Sequence, residues 1–283
     1  MELLKGASVV SAMNEEMKKN LSTLDYIPHL AIVRVGERPD DLSYERGAVK
    51  RMETIGLNYS LFTYPETITH NKFQEEFEKI NDNNEIDGIL LLRPVPKHIN
   101  EEEIIQLINP IKDIDGISHK NMAKIFAGDK TGFAPCTAQA VVEMLHHANI
   151  PLEGKKVAIV GRSLVVGKPL AMLLMKENAT VTICHTKTVE MEKECSRADI
   201  IIAAAGKAKM LTKEYVKEGA IVIDVGINLD ENNKLCGDVD IVSIEEYASM
   251  ATPVPGGVGT VTTSVLAKHL IEAARQRRSE NKK

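Results

Sequence analysis

Val157-Ala158-Ile159-Val160-Gly161-Arg162-Ser163-Leu164-Val165-Val166-Gly167-Lys168-Pro169 is the stretch that decides the fold. Its first four residues form a short apolar run, the pattern of a buried strand in a parallel sheet. Gly161 ends that strand with a residue able to turn sharply. A helix is expected from Val166 to Lys176, directly behind the turn. Strand, glycine turn and helix opening are the three parts of a pyrophosphate site, because loop amides and a helix N-terminus carry partial positive charge. The spacing is G-x5-G, not G-x-G-x-x-G, so for the loop alone a plain βα turn is the alternative reading.

The strand after it, Thr180 to Cys184, runs into His185-Thr186-Lys187-Thr188. An NAD-specific fold places an acid there, about 20 residues beyond the glycine loop, to bind the ribose 2'-hydroxyl. No acid is present. Arg162 and Lys187 are two cations suited to a 2'-phosphate, unless both are merely solvated, and NADP is expected over NAD. Two more strands follow, Ile200 to Ala204 and Ala220 to Val225.

Upstream the alternation repeats. Leu30 to Val35 reads as a strand, Ser43 to Ile55 as a helix ended by Gly56, and Tyr59 to Tyr64 as a strand. Phe73, Phe77 and Ile80 share one face of a helix over Asn71 to Ile80. Ile86 to Leu92 is a buried strand, halted by Arg93-Pro94-Val95-Pro96. This is an α/β chain with mainly parallel sheets. Asp113 to Thr137 shows little periodicity, and a helix from Thr137 to about His147 follows. The expected organisation is therefore two α/β domains. Residues 1–136 with a C-terminal helix over 260–283 form the first; residues 137–259 form the second, Rossmann-type domain. The tail 275–283 is expected to fray.

Composition agrees with two globular domains: 283 residues, 43% hydrophobic and 27% charged. A net charge of -5 argues against a nucleic-acid partner. No apolar run is long enough to span a membrane, and the N-terminus lacks the apolar core of a secretory signal. Cys136, Cys184, Cys195 and Cys236 have no metal-ligand spacing, so no metal is expected, and the thiols read as reduced and packed in a cytoplasmic protein.

Six ordered motifs then carry a resemblance. The glycine loop resembles the GRSxxVGxP loop of the bifunctional methylenetetrahydrofolate dehydrogenase/cyclohydrolases. Asp113-Ile114-Asp115-Gly116 resembles their DVDG, and Pro135-Cys136-Thr137 their PCT. Asp224-Val225-Gly226-Ile227-Asn228 resembles DVGIN, Gly237-Asp238-Val239-Asp240 resembles GDVD, and Thr252-Pro253-Val254-Pro255-Gly256-Gly257-Val258-Gly259 resembles TPVPGGVG. The resemblance implies a cleft between the two α/β domains, a folate-binding catalytic first domain, an NADP-binding second domain, a tetrahydrofolate-derived substrate and a homodimer. It assigns Tyr44 and Asp115 as catalytic and substrate-binding, with Pro255, Gly256 and Gly257 also at the substrate. For the cofactor it assigns Gly161, Arg162, Ser163, Gly167, His185, Lys187 and Ile227.

The first domain departs from the family pattern. The usual S-x-x-Y-x-x-x-K, whose lysine drives the cyclohydrolase step, here keeps Tyr44 but carries Asp41 for serine and Ala48 for lysine. The strand pattern G-I-L-V-Q-L-P-L-P carries Leu92 for glutamine and Arg93 beside it, and Thr260 replaces a proline after the glycine loop. Lys50 is a poor substitute, because six residues along a helix point about 120° away. The expected activity is hydride transfer from 5,10-methylenetetrahydrofolate to NADP with weak or lost hydrolysis of the methenyl product. The alternatives are a bifunctional enzyme using another cation, such as Arg51 or Arg93, and a non-catalytic nucleotide-binding relative.

Overall fold

The structure is a computed structural model that describes residues 1–281. In chain order the elements are β1 (Glu2–Leu3), α1 (Gly6–Leu21), β2 (His29–Val35), α2 (Pro39–Ile55), β3 (Asn58–Tyr64) and α3 (His70–Asp82). Then come β4 (Gly88–Leu91), α4 (Glu101–Leu107), α5 (His119–Ala127), α6 (Cys136–His147), β5 (Lys156–Val160), α7 (Gly167–Lys176) and β6 (Thr180–Cys184). The chain continues with α8 (Met191–Cys195), β7 (Ile200–Ala203), β8 (Ile221–Asp224), β9 (Asn228–Leu229), β10 (Leu235–Cys236), β11 (Met250–Ala251) and α9 (Thr262–Asn281). No helix among the described residues is long and apolar enough to cross a membrane.

The chain divides into two compact units. The first comprises Met13–Cys136 and the chain from Thr263 onward. Its sheet has three parallel strands in the order β3-β2-β4. Strand β2 lies between its neighbours and is buried at every position after His29. One face of it, Ala31, Val33 and Val35, packs with Phe73, Phe77 and Ile80 of α3. Helix α2 begins at Pro39, whose fixed φ suits a first turn, and ends at Gly56 in the left-handed region. It starts earlier than the sequence pattern indicates because its first turn, Pro39-Asp40-Asp41, is polar.

Helix α5 falls inside the stretch Asp113 to Thr137, which shows little periodicity, and α4 lies just before it. Ser118 caps α5 by accepting from Asn121 N; Asn121 is its one buried residue, and the apolar Phe126 is left 78% exposed. The expected fraying from Arg275 is corrected by the structure. Helix α9 continues to Asn281, Arg275 Nη2 donates to Asn20 O (2.9 Å), and Arg277 Nη1 pairs with Asp87 Oδ1 (2.7 Å). Lys282 and Lys283 of that expected tail lie outside the described residues.

The second unit comprises Met1–Ala12 and Thr137–Thr262. Its sheet has six parallel strands in the order β1-β11-β8-β7-β5-β6. The N-terminal segment, expected in the first domain, supplies β1, which pairs with β11 and so extends this sheet. From β5 the chain moves to β6 on one side and returns to β7 on the other. That reversal makes the C-terminal ends of β5 and β7 a topological switch point, where open α/β sheets bind ligands.

Candidate active site

The glycine loop leaves β5 at the switch point. Gly161 has φ 134°, and a side chain there would overlap the carbonyl of Ala204, the residue that follows β7. Its N–H donates to Cys184 O (2.8 Å), tying the loop to the end of β6. A Cβ on Gly167 would overlap the carbonyl of Gly161, so two glycines are needed to fold the loop back onto the first turn of α7. Ser163 Oγ accepts from Val166 N (3.0 Å) and therefore shapes the loop from within. Arg162 and Lys187 are exposed, and neither side chain has an ion-pair partner among the described residues. His185 turns the chain after β6: its N–H donates to Thr188 Oγ1 (2.8 Å) and its Nδ1 accepts from Lys187 N (3.1 Å).

Beside β8 lies a pocket of about 210 Å³, lined by Gly226, Ile227 and Leu235 on one side and by Pro253 to Thr260 on the other. It thus brings together Ile227, Pro255, Gly256 and Gly257. Gly256 has φ 100°, and a Cβ on it would meet nothing nearer than Pro253 Cγ at 4.0 Å, so it borders open space. Ile227 is 67% exposed, a large apolar side chain left facing solvent. Asp224, at the end of β8, is buried and accepts from Gly226 N (2.9 Å) and Val239 N (2.9 Å). Burial raises its carboxyl to about 6 despite those bonds.

Tyr44 and Asp115 belong to the other unit. Asp115 stands in a tight turn made by Asp113, whose buried carboxylate accepts from Ile117 N (3.0 Å), Ser118 N (2.8 Å) and Asn121 Nδ2 (2.9 Å). Gly116, with φ 64°, lets that turn pass close to Phe133 and Ala134. The turn is also held from α9, where His269 Nδ1 lies 2.8 Å from Ile114 O. Burial pushes Asp115 up to about 6, while a hydrogen bond with Cys136 and the charge of Arg93 pull it back. Tyr44 is half-buried on α2.

The buried stripe of α2 runs through Asp41, Glu45, Ala48, Met52 and Ile55. Ala48 is 0% exposed and Leu92 5%, so both positions are apolar and dry. Leu92 N donates to Val33 O (2.9 Å), extending the ladder beyond β4. The side chains nearest in kind to a replacement cation differ in engagement. Arg51 donates to Asn14 Oδ1 (3.0 Å), whereas Arg93 pairs with Glu101 Oε1 (3.3 Å) and acts on Asp115. Lys50 is exposed.

One charged pair escapes a sequence reading. Arg34 Nε, on β2, donates to Glu45 Oε2 (2.9 Å), and its Nη1 donates to Gly36 O. Both residues are buried. An arginine inside the apolar run His29-Leu30-Ala31-Ile32-Val33-Arg34-Val35 is a visible sign that a buried partner must exist. Asp41, on the same stripe, is raised by its own burial, with Arg38 opposing.

The second half, residues 135–278, matches the family model described as tetrahydrofolate dehydrogenase/cyclohydrolase, NAD(P)-binding domain. Residues 4–115 match the catalytic domain of the same description. A protein of Clostridioides difficile (strain 630), named Bifunctional protein FolD, is 50% identical over 277 residues, covering 97% of this chain and 96% of the relative. The crystal structure of the bifunctional FolD dehydrogenase/cyclohydrolase from Campylobacter jejuni superposes with a TM-score of 0.94 at 36% identity, covering 98% of this chain and 99% of that one. The FolD of Trypanosoma brucei, complexed with NADP cofactor and inhibitor, superposes with a TM-score of 0.90 at 30% identity, covering 98% of each chain.

Proposed function

Because the chain belongs to the tetrahydrofolate dehydrogenase/cyclohydrolase family, we propose that it oxidises 5,10-methylenetetrahydrofolate with NADP and hydrolyses the methenyl product slowly or not at all. The observation that carries the second clause is the dry, apolar character of positions 48 and 92. Hydrolysis needs water activated and a nitrogen protonated, and a methyl group and an isobutyl group do neither. Loss of such acid-base help costs about 10²- to 10⁴-fold. Oxidation depends on alignment more than on acid-base chemistry.

The donor set of the second unit fits a phosphorylated dinucleotide. Arg162 and Lys187 are exposed cations without carboxylate partners among the described residues, and β6 ends without an acid. The N-terminus of α7 and the Gly161 loop would hold the pyrophosphate. The relative from Trypanosoma brucei, named as an NADP complex, supports the same cofactor. When bound, that cofactor supplies the hydride acceptor. In the first unit, Asp115 as a carboxylate would accept hydrogen bonds from ring donors of the pterin, and Tyr44 would border the ring. Pro255, Gly256 and Gly257 would form the wall that approaches the substrate. Family likeness also supports a homodimer in the cytoplasm.

A second reading, a bifunctional enzyme, is favoured by the Clostridioides difficile relative at 50% identity, which is named as bifunctional. In that reading the replacement cation is Arg51 or Arg93; both are engaged, with Asn14 and Glu101, and Arg93 is the one whose charge acts on Asp115. Mixing the protein with methylenetetrahydrofolate and either NADP or NAD separates the readings. Reduced cofactor and methenyl product are followed independently. Reduced cofactor with lasting methenyl product supports the first, and matched disappearance of methenyl supports the second.

A further inference from the structure

Asp238 has no ligand role in the reading above, yet its carboxylate ties together two loops of the switch-point edge. It is 1% exposed. Oδ2 accepts from Ala205 N (2.6 Å) and Gly206 N (2.9 Å). Oδ1 accepts from Lys207 N (2.8 Å) and from Asn228 Nδ2 (2.9 Å). Ala205 to Lys207 leave β7, directly after the Ala204 carbonyl that lies against Gly161. Asn228 opens β9, directly after the loop that leaves β8, the strand paired with β7 through Ala203 and Asp224. Asp238 is itself anchored, since its N–H donates to Asp224 Oδ1 (3.0 Å). The arrangement is filled tightly enough that Cβ atoms on Gly226 and Gly237 would overlap the carboxylates of Asp238 and Asp224.

Successive amides that converge on one point make a nest for an anion. Here the nest after β7 is filled from inside the protein. Charge-assisted bonds of this kind are about twice as strong as neutral ones, so the loop is fixed before any ligand arrives. We infer that Asp238 is a positioning residue for the dinucleotide: it fixes the loop against Gly161, keeps that nest from competing for phosphate, and sets the path of Gly226 to Asn228 beside Ile227. The inference rests on reading this unit as the cofactor site.

The test is NADPH titration, by fluorescence, of the parent, Asp238→Asn and Asn228→Ala, with melting temperature recorded for each. The amide of Asp238→Asn presents N–H groups to N–H groups. Its dissociation constant for NADPH is expected to rise about tenfold or more, as expected for loss of a charge-assisted bond. The KM for NADP should rise in parallel and by more than the KM for methylenetetrahydrofolate, because Tyr44 and Asp115, which would hold the pterin, are in the other unit. A purely structural role would lower the melting temperature and leave the cofactor constants unchanged. Asn228→Ala removes one bond and keeps the backbone clamp, so it carries the test if Asp238→Asn does not fold; a rise of about threefold is expected. Unchanged NADPH affinity in a folded Asp238→Asn, or in Asn228→Ala when that variant alone folds, overturns the inference. A parent that binds no NADPH at all overturns the cofactor reading and this inference with it.

Discussion

Gly161 and Ala204 meet backbone to backbone, so closely that any Cβ on Gly161 would overlap the Ala204 carbonyl oxygen. The two residues end β5 and follow β7, the strands that flank the switch point. Gly161 also sits at φ 134°, a conformation that L side chains rarely adopt. Gly161→Ala must therefore shift the loop that would face the pyrophosphate. The expected outcome is a loss of NADPH affinity of about tenfold or more, read by titration, with a lowered melting temperature. Unchanged affinity would remove the loop from the cofactor site.

Cofactor preference should depend on Lys187. The parent is expected to have a higher kcat/KM with NADP than with NAD, and Lys187→Ala to lose most of that preference by weakening NADP alone. A charge-assisted bond of this type contributes about 1.5 to 3 kcal/mol. A parent that uses NAD better, or a variant that keeps its preference, contradicts the assignment.

Asp115 should respond both to substitution and to pH. Asp115→Asn is expected to weaken folate binding by about tenfold to a hundredfold while sparing NADPH. Burial raises Asp115 and Asp224 from the ordinary 3.8 to about 6. A carboxyl whose folded pKa is raised binds more protons folded than unfolded between those values. Its stability contribution is thus fully present below about pH 4 and lost as pH rises through about 6. Asp115→Asn should flatten part of the fall in melting temperature across that window. Folate affinity of the parent, which needs the ionised carboxylate, should instead rise through about pH 6. Parallel melting profiles for parent and variant would contradict the burial account.

Arg277 should matter more than any surface cation. It reaches Asp87, a carboxylate 2% exposed that also accepts from Tyr26 Oη (2.7 Å) and His29 N (3.0 Å). Removing one partner of a buried pair costs about 3 kcal/mol or more. Arg277→Ala should lower urea stability by about that amount, whereas Lys72→Ala, on the exposed face of α3, should leave it unchanged. Equal effects would mean that the Arg277–Asp87 contact of α9 contributes nothing.

Much of the fold was legible because glycine punctuates it. Strands β5 and β6 begin and end where apolar runs meet Gly154, Gly161 and the polar His185 turn. What stayed hidden has physical reasons. Helices α4 and α5 have seven and nine residues, so each offers only one set of apolar residues at helical spacing, too little to separate a helix from a loop. The Arg34–Glu45 pair joins a strand to a helix, and no local pattern reveals which carboxylate meets a buried arginine. The clamp made by Asp238 depends on β7 and β8 being neighbours, which only the sheet order shows.

Ala48→Lys with Leu92→Gln is expected to raise cyclohydrolase activity above background, and each single change to do little, because residues acting as a unit are strongly non-additive. Glu45 and Asp41 share the stripe with position 48 and would hold a new lysine protonated, which limits the gain. The most direct test needs no variant: the rate at which the unmodified protein hydrolyses methenyltetrahydrofolate, corrected for the spontaneous rate and set against its rate of methylene oxidation. Apolar groups at 48 and 92 predict that methenyl product accumulates as NADPH forms. Hydrolysis as fast as oxidation would contradict this, and would assign the acid-base work to another residue of this chain.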